Sequence, residues 1–225
     1  MTASTQIRAA PSRKSSMRFP NISEPRAFQL GIEHVSRVDP QIRQLVRKLG
    51  LIEFETGEDP FESLVEAIIS QQLSGKSAES IFNRLKTLVK SENIDAHVIK
   101  KTPASKLRKA GVSPQKSRYL KDLSSQVVKG TLDLNSLKMK PDDEVVRILD
   151  EARGIGPWTA QMFLLFTLGR PDVLPVGDLG IQMAIRRVYS LRKLPTAEKI
   201  EKIASKWHPY CSIASLYLWH STDSK

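Results

Sequence analysis

The sequence predicts an all-α, two-lobed fold of about ten helices with a cleft between the lobes. Three observations predict it. After Ser23 nearly every segment carries helix start and stop signals. Apolar residues recur at helical spacing, and no segment alternates over strand length. The chain has 225 residues, 40% of them hydrophobic, enough for a sizeable core in one domain or in two small lobes.

Taken in order, the basic segment MTASTQIRAAPSRKSSMR is Ser-rich and meets its first acid only at Glu24. A tail over 1–28 is therefore expected to be disordered, with the folded domain over 29–225. Mitochondrial presequences share this composition; Pro11 and the weak apolar face argue against one. Asp39-Pro40 opens a helix that ends near Gly50, with proline in the first turn. Asp59-Pro60 opens the next, which places Phe61, Leu64, Val65, Ile68 and Ile69 on one face. Ser74-Gly75 interrupts it. The helix resumes with Ile81, Phe82, Leu85, Leu88 and Val89 as its stripe.

Short helices fill 95–110, and a longer one starts at Ser113. Asp142, Asp143 and Glu144 sit where a helix dipole favours acids. Val145, Ile148 and Leu149 continue that helix towards Gly154-Ile155-Gly156-Pro157. Further helices start at Asp178, Thr196 and Ser212. Residues 59–170 are expected to form one lobe, and the N- and C-terminal helices together the other.

Composition narrows the partners. Lys and Arg number 35 against 24 acids, a net charge of +11. Five basic residues and one acid fall within 1–28, so +7 remains in the folded part. Such an excess suits a polyanion, and nucleic acid is the first candidate. Cys211 is the only cysteine, so no internal disulfide, iron–sulfur cluster or cysteine zinc site is expected. The four histidines include no pair at metal-ligand spacing, so neither metal nor cofactor is expected. No apolar run is long enough to span a bilayer; Met162–Leu168 has the length of a buried helical segment.

Gly154-Ile155-Gly156-Pro157 breaks a helix sharply and restarts it at Trp158. Glycine permits backbone angles closed to other residues and lets another backbone approach. Proline suits the first helical position, where its missing N–H needs no partner. The helix over 141–152, the turn, and the helix over 157–168 therefore form a helix-hairpin-helix. The amides of its turn and of the second helix start offer a phosphate site. Such contacts position a duplex without reading its sequence. A plain αα-corner would use the same residues.

The continuation is more specific. The loop GRPDVLPVGDLGIQ ends in Asp178, ahead of an apolar helix, and WHPYCSIASLYLW runs from Trp207 to Trp219. With HVSRVDP and AIISQQLSGKSA, these stretches resemble the helix-hairpin-helix DNA glycosylase superfamily, and within it the 3-methyladenine (alkylpurine) DNA glycosylases. The resemblance covers roughly residues 33–220.

The resemblance implies hydrolysis of the N-glycosidic bond of an alkylated purine, flipped out of double-stranded DNA, leaving an abasic site. It makes Asp178 the catalytic carboxylate. The chemistry asks for one, because bond cleavage leaves positive charge on the deoxyribose. A helix N-cap role for Asp178 is compatible with this. Trp158 stands where strand-cutting members carry the lysine of a Schiff base, so the implied enzyme is monofunctional. Trp158, Met162 and Trp219 match the base pocket. Leu73 matches the wedge that fills the vacated stack, with Gln71, Gln72, Ser74 and Lys76 as neighbouring DNA contacts. Gly154, Ile155, Gly156 and Thr159 are the hairpin contacts. A monomer is expected and, in a eukaryote, the nucleus.

Three positions depart from the pattern: Met162 where an aromatic can stand, Cys211 where arginine is frequent, and the small Ser74 beside the wedge. They sustain a rival, a relative that binds damaged or abasic DNA and excises little. A module that only docks duplex DNA is a third reading, and it leaves Asp178 and Trp158 unexplained.

Overall fold

Capping residues set where the chain turns into helix. The computed structural model describes residues 21–57, 59–73, 75–91 and 93–223. Twelve α-helices lie among them: α1 (Pro25–Val38), α2 (Pro40–Leu49), α3 (Pro60–Ser70), α4 (Gly75–Val89), α5 (Ala96–Lys101), α6 (Ala104–Lys109), α7 (Pro114–Lys129), α8 (Asp142–Asp150), α9 (Pro157–Phe166), α10 (Leu179–Val188), α11 (Ala197–Ala204) and α12 (Cys211–Asp223). The caps foreseen at Asp39, Asp59, Ser113, Asp178 and Thr196 all accept a first-turn N–H. The described residues include no strand.

Two elements escaped the sequence reading. A 3-10 helix over Leu134–Met139 buries Leu134 and Leu137 beneath α3. The other, α1, starts inside the segment assigned to the tail. Residues 21–28 are therefore corrected to the folded body: Ile22 is buried, its N–H donates to the Gly169 carbonyl at 2.8 Å, and Phe28 joins the core. Residues 1–20 lie outside the described set.

The helices group as two lobes. α3 packs on α4, α7 and α9, with α8 against α9 and α5 and α6 against α7. The second lobe joins the chain's two ends: α12 packs on α1, α2 and α10. Asp39, fully buried, ties that lobe together. It caps α2 and also accepts from Tyr189 at the end of α10 and from Trp207 Nε1 at 2.8 Å. Arg170, also buried, anchors the chain leaving α9. It donates to the Lys138 and Lys140 carbonyls at 3.1 and 2.8 Å and lies 3.1 Å from the Asp142 carboxylate. The loop that starts there delivers Asp178.

Candidate active site

Asp178 ends that loop with both carboxylate oxygens engaged. Oδ1 accepts the Ile181 N–H at 2.8 Å, which makes Asp178 the N-cap of α10, and the indole N–H of Trp219 at 2.9 Å. Oδ2 accepts the indole N–H of Trp158 at 2.8 Å. Three helices thus fix one carboxylate: α10 through its first turn, α9 through Trp158 and α12 through Trp219. Gly180 makes the approach possible, because a Cβ there would lie 3.0 Å from Oδ1 and 3.2 Å from the Trp219 ring.

Trp158 also faces a cavity of about 470 Å³ between α3, α9 and residues 55–57. Trp158, Met162, Phe163 and Phe166 supply its apolar wall; Glu55, Ser63, Glu66 and Ser70 supply its polar side. The volume falls in the range typical of small-molecule sites, about 300–1,000 Å³. Trp158 and Met162 line this cavity; Trp219 lies outside its lining, packs on Phe166 with centroids 5.7 Å apart, and holds Asp178. Glu66 was missed, because in sequence it is one more acid on a helix. Desolvation in the cavity wall, then Glu62, raises its carboxyl above the ordinary range, with Lys86 opposing.

The hairpin closes at Gly154. Its φ of +85° lies in the left-handed region, and a Cβ would come within 2.2 Å of the Tyr119 ring. Nothing crowds Gly156, which caps α9 without a side-chain hydrogen bond, so the first amides of α9 have no intrahelical partner. The Ile155 side chain is buried and its N–H donates to the Ala152 carbonyl at 3.1 Å. Thr159 is buried, and its hydroxyl accepts from Gln71 Nε2 at 3.1 Å.

That Gln71 amide also donates to the Gly154 carbonyl at 2.7 Å, which ties the end of α3 to the hairpin. The Gln71 amide thus donates twice within the protein. Lys116 Nζ, which the sequence reading did not single out, braces the same turn through the Ile69 and Gln71 carbonyls at 2.8 and 2.6 Å. Beyond it the chain projects. Gln72 sits at φ +58°, Leu73 is 42% exposed, and Lys76 is exposed on the first turn of α4. Ser74 lies outside the described residues. A groove of about 560 Å³ separates this turn from the hairpin, lined by Gln72, Leu73, Lys116, Tyr119, Gly154 and Gly156 among others.

The model of the HhH-GPD superfamily of base excision DNA repair proteins matches residues 65–209, which include this hairpin, the loop and Asp178. A putative DNA-3-methyladenine glycosylase of Bacillus subtilis is 41% identical over 117 residues, a match spanning 52% of this chain and 41% of that one. DNA-3-methyladenine glycosylase 1 of Schizosaccharomyces pombe is 30% identical over 194 residues, 84% of this chain and 85% of the relative. Among solved structures, the S. pombe 3-methyladenine DNA glycosylase Mag1 in complex with abasic DNA superposes with a TM-score of 0.79 at 28% identity, covering 86% and 97% of the two chains. The Bacillus halodurans DNA-3-methyladenine glycosidase gives 0.73 at 32% identity, with 92% and 94% covered. With the hairpin, the aspartate loop and the aromatic pair in place, this chain belongs to the helix-hairpin-helix superfamily of base excision DNA repair proteins, in its 3-methyladenine DNA glycosylase family.

Proposed function

We propose that this protein is a monofunctional DNA glycosylase that hydrolyses the N-glycosidic bond of flipped, positively charged alkylpurines such as 3-methyladenine and 7-methylguanine. One observation carries it. A single indole, Trp158, lines the cavity with its ring and grips Asp178 with its N–H, so a base held there and the carboxylate meet across one side chain. A base held against Trp158, Met162 and Phe166 leaves its deoxyribose facing Asp178.

As the bond breaks, positive charge grows on the sugar, and a carboxylate already clamped by three donors stabilises it without reorganising. The same carboxylate can orient or deprotonate the attacking water. Alkylation gives the base a charge that aromatic faces attract. It also weakens the bond, so modest transition-state stabilisation suffices. Trp158 offers no amine, so no imine forms at that position and the strand is left intact with an abasic site.

The test is base release from methylated duplex DNA, read by chromatography for wild type and Asp178→Asn. Asparagine keeps the N-cap when its amide oxygen takes the place of Oδ1, which turns its NH2 on the Trp158 indole N–H, and the charge is gone. Release should fall on the order of 10²-fold or more, with binding to abasic DNA retained and no adduct trapped by borohydride. Unchanged release in Asp178→Asn removes the catalytic assignment. A wild type that binds abasic DNA and releases no base establishes the damage-binding role instead.

A further inference from the structure

The loop that delivers Asp178 meets the start of α12 at a second cluster, which the active site does not use. His208 Nδ1 lies 2.9 and 2.7 Å from the two carboxylate oxygens of Asp172 and 3.6 Å from Cys211 Sγ. One ligand atom from each of the three residues falls within 4.8 Å of the others. The thiol is buried, while the Asp172 and His208 side chains are 32% and 55% exposed, so the cluster opens to solvent on one side.

The surrounding backbone holds these atoms in place. The Cys211 N–H donates to Asp172 Oδ1 at 3.2 Å and the Ser212 N–H to the Pro171 carbonyl at 3.0 Å. Ser212 Oγ accepts the Val173 N–H at 2.9 Å and donates to the Arg170 carbonyl at 2.6 Å. Two segments far apart in sequence are thus stitched together on both sides of the cluster.

We propose that Asp172, His208 and Cys211 form a zinc site, with water completing a tetrahedron from the open side. A thiolate, an imidazole and a carboxylate are the donor set that zinc takes. Zn–N and Zn–S bonds of about 2.0 and 2.3 Å set nitrogen and sulfur about 3.5 Å apart in a tetrahedron; here they are 3.6 Å apart. The nitrogen–oxygen pair, now joined by a hydrogen bond, must open by about half an ångström to reach its tetrahedral spacing. The exposed imidazole can supply that movement. The ion displaces the thiol proton and takes Nδ1, leaving the neutral imidazole's proton on Nε2. Bound there, it staples the loop that ends in Asp178 to the helix that carries Trp219, the donor to that carboxylate.

The test titrates the full chain with cobalt(II) alone, then with zinc against a chromophoric chelator. Wild type should take up cobalt with a thiolate-to-cobalt charge-transfer band in the near ultraviolet. Cys211→Ser, which preserves shape, should lack that band. His208→Gln should weaken zinc by at least about 10-fold, and His97→Gln, an exposed histidine elsewhere, should bind as wild type does. Zinc should raise the Tm of wild type and leave that of Cys211→Ser unchanged. Cobalt binding without the thiolate band, or equal affinity in wild type and His208→Gln, overturns the site. Should Cys211→Ser fail to fold, His208→Gln on the exposed rim carries the comparison. No readout involves base release, so the site and the glycosylase reading stand or fall separately.

Discussion

Replacing either indole with phenylalanine keeps a ring in place and removes one N–H from Asp178, and the two replacements should differ. Among the described residues, Trp158 alone donates to Oδ2, at 2.8 Å. Trp219 shares Oδ1 with the Ile181 N–H, itself at 2.8 Å. A hydrogen bond to a charged group contributes about 1.5–3 kcal/mol, which corresponds to about 10–150-fold in a rate that needs the carboxylate held in place. Trp158→Phe frees one whole oxygen and narrows the aromatic wall of the cavity, so its loss should approach the upper figure. In Trp219→Phe the Ile181 amide still anchors Oδ1, and about 10-fold is expected. Single-turnover base release from methylated duplex, with saturating enzyme, measures the step directly. The double variant should lose less than the product of the two single losses, because both donors restrain one group. Equal losses in the two single variants would refute the asymmetric clamp. So would a Trp158→Phe enzyme as fast as wild type.

The hairpin and the wedge should separate in binding. Gly154→Ala forces a left-handed angle and drives a methyl into Tyr119, so anisotropy should show weaker binding to every duplex. Leu73→Ala should mainly lower the preference for abasic over intact DNA; equal loss on both would make Leu73 a scaffold residue. Burial works to raise the Asp39 carboxyl, but hydrogen bonds from Tyr189 and Trp207, with Lys206 nearby, outweigh it and hold it below the ordinary value of 3.8. Its stabilisation is therefore complete above that pH and is lost as the pH falls below it. Asp39→Asn should cost about 3–5 kcal/mol by leaving buried donors facing an amide and should flatten the acid limb of a Tm–pH curve.

Helix positions were legible in the sequence because caps and prolines act locally, within four residues of where they stand. Asp39, Asp59 and Asp178 each precede a helix and each caps it. The start of α1 was not legible. Pro25 opens it without a side-chain cap, and what fixes Ile22 is a carbonyl at Gly169, far along the chain. The candidate site residues were legible as types, and how they meet was not. Nothing local to WTAQM or LYLW says that both indoles turn their N–H groups onto one carboxylate. The same limit hid the cluster at Cys211. Spacing rules search for ligands along a segment, and His208 and Cys211 meet their third partner only through the packing of α12 on the loop after α9.

Those long-range ties also join the proposed DNA contacts and the candidate carboxylate Asp178 in one mechanical unit. Gly154 lies in the hairpin turn, and Trp158 and Thr159 in the first turn of α9 that follows it. Gln71 joins Gly154 and Thr159 to the turn that presents Leu73. The next side chain along, Trp158, grips Asp178 and faces the cavity. On the proposed reading, a phosphate at the first amides of α9, the wedge Leu73 and the carboxylate at the sugar are all referenced to one short helix through these ties. Catalysis by a fixed charge depends on placement, and an error near 1 Å can cost about 10²-fold. Tying the Leu73 turn and Asp178 to α9 lets a backbone contact there set the position of the carboxylate. A weakened Gln71 tie, as in Gln71→Ala, should therefore slow base release even at DNA concentrations that saturate binding. A variant that needs more DNA but reaches the wild-type rate would show instead that wedge and hairpin act independently.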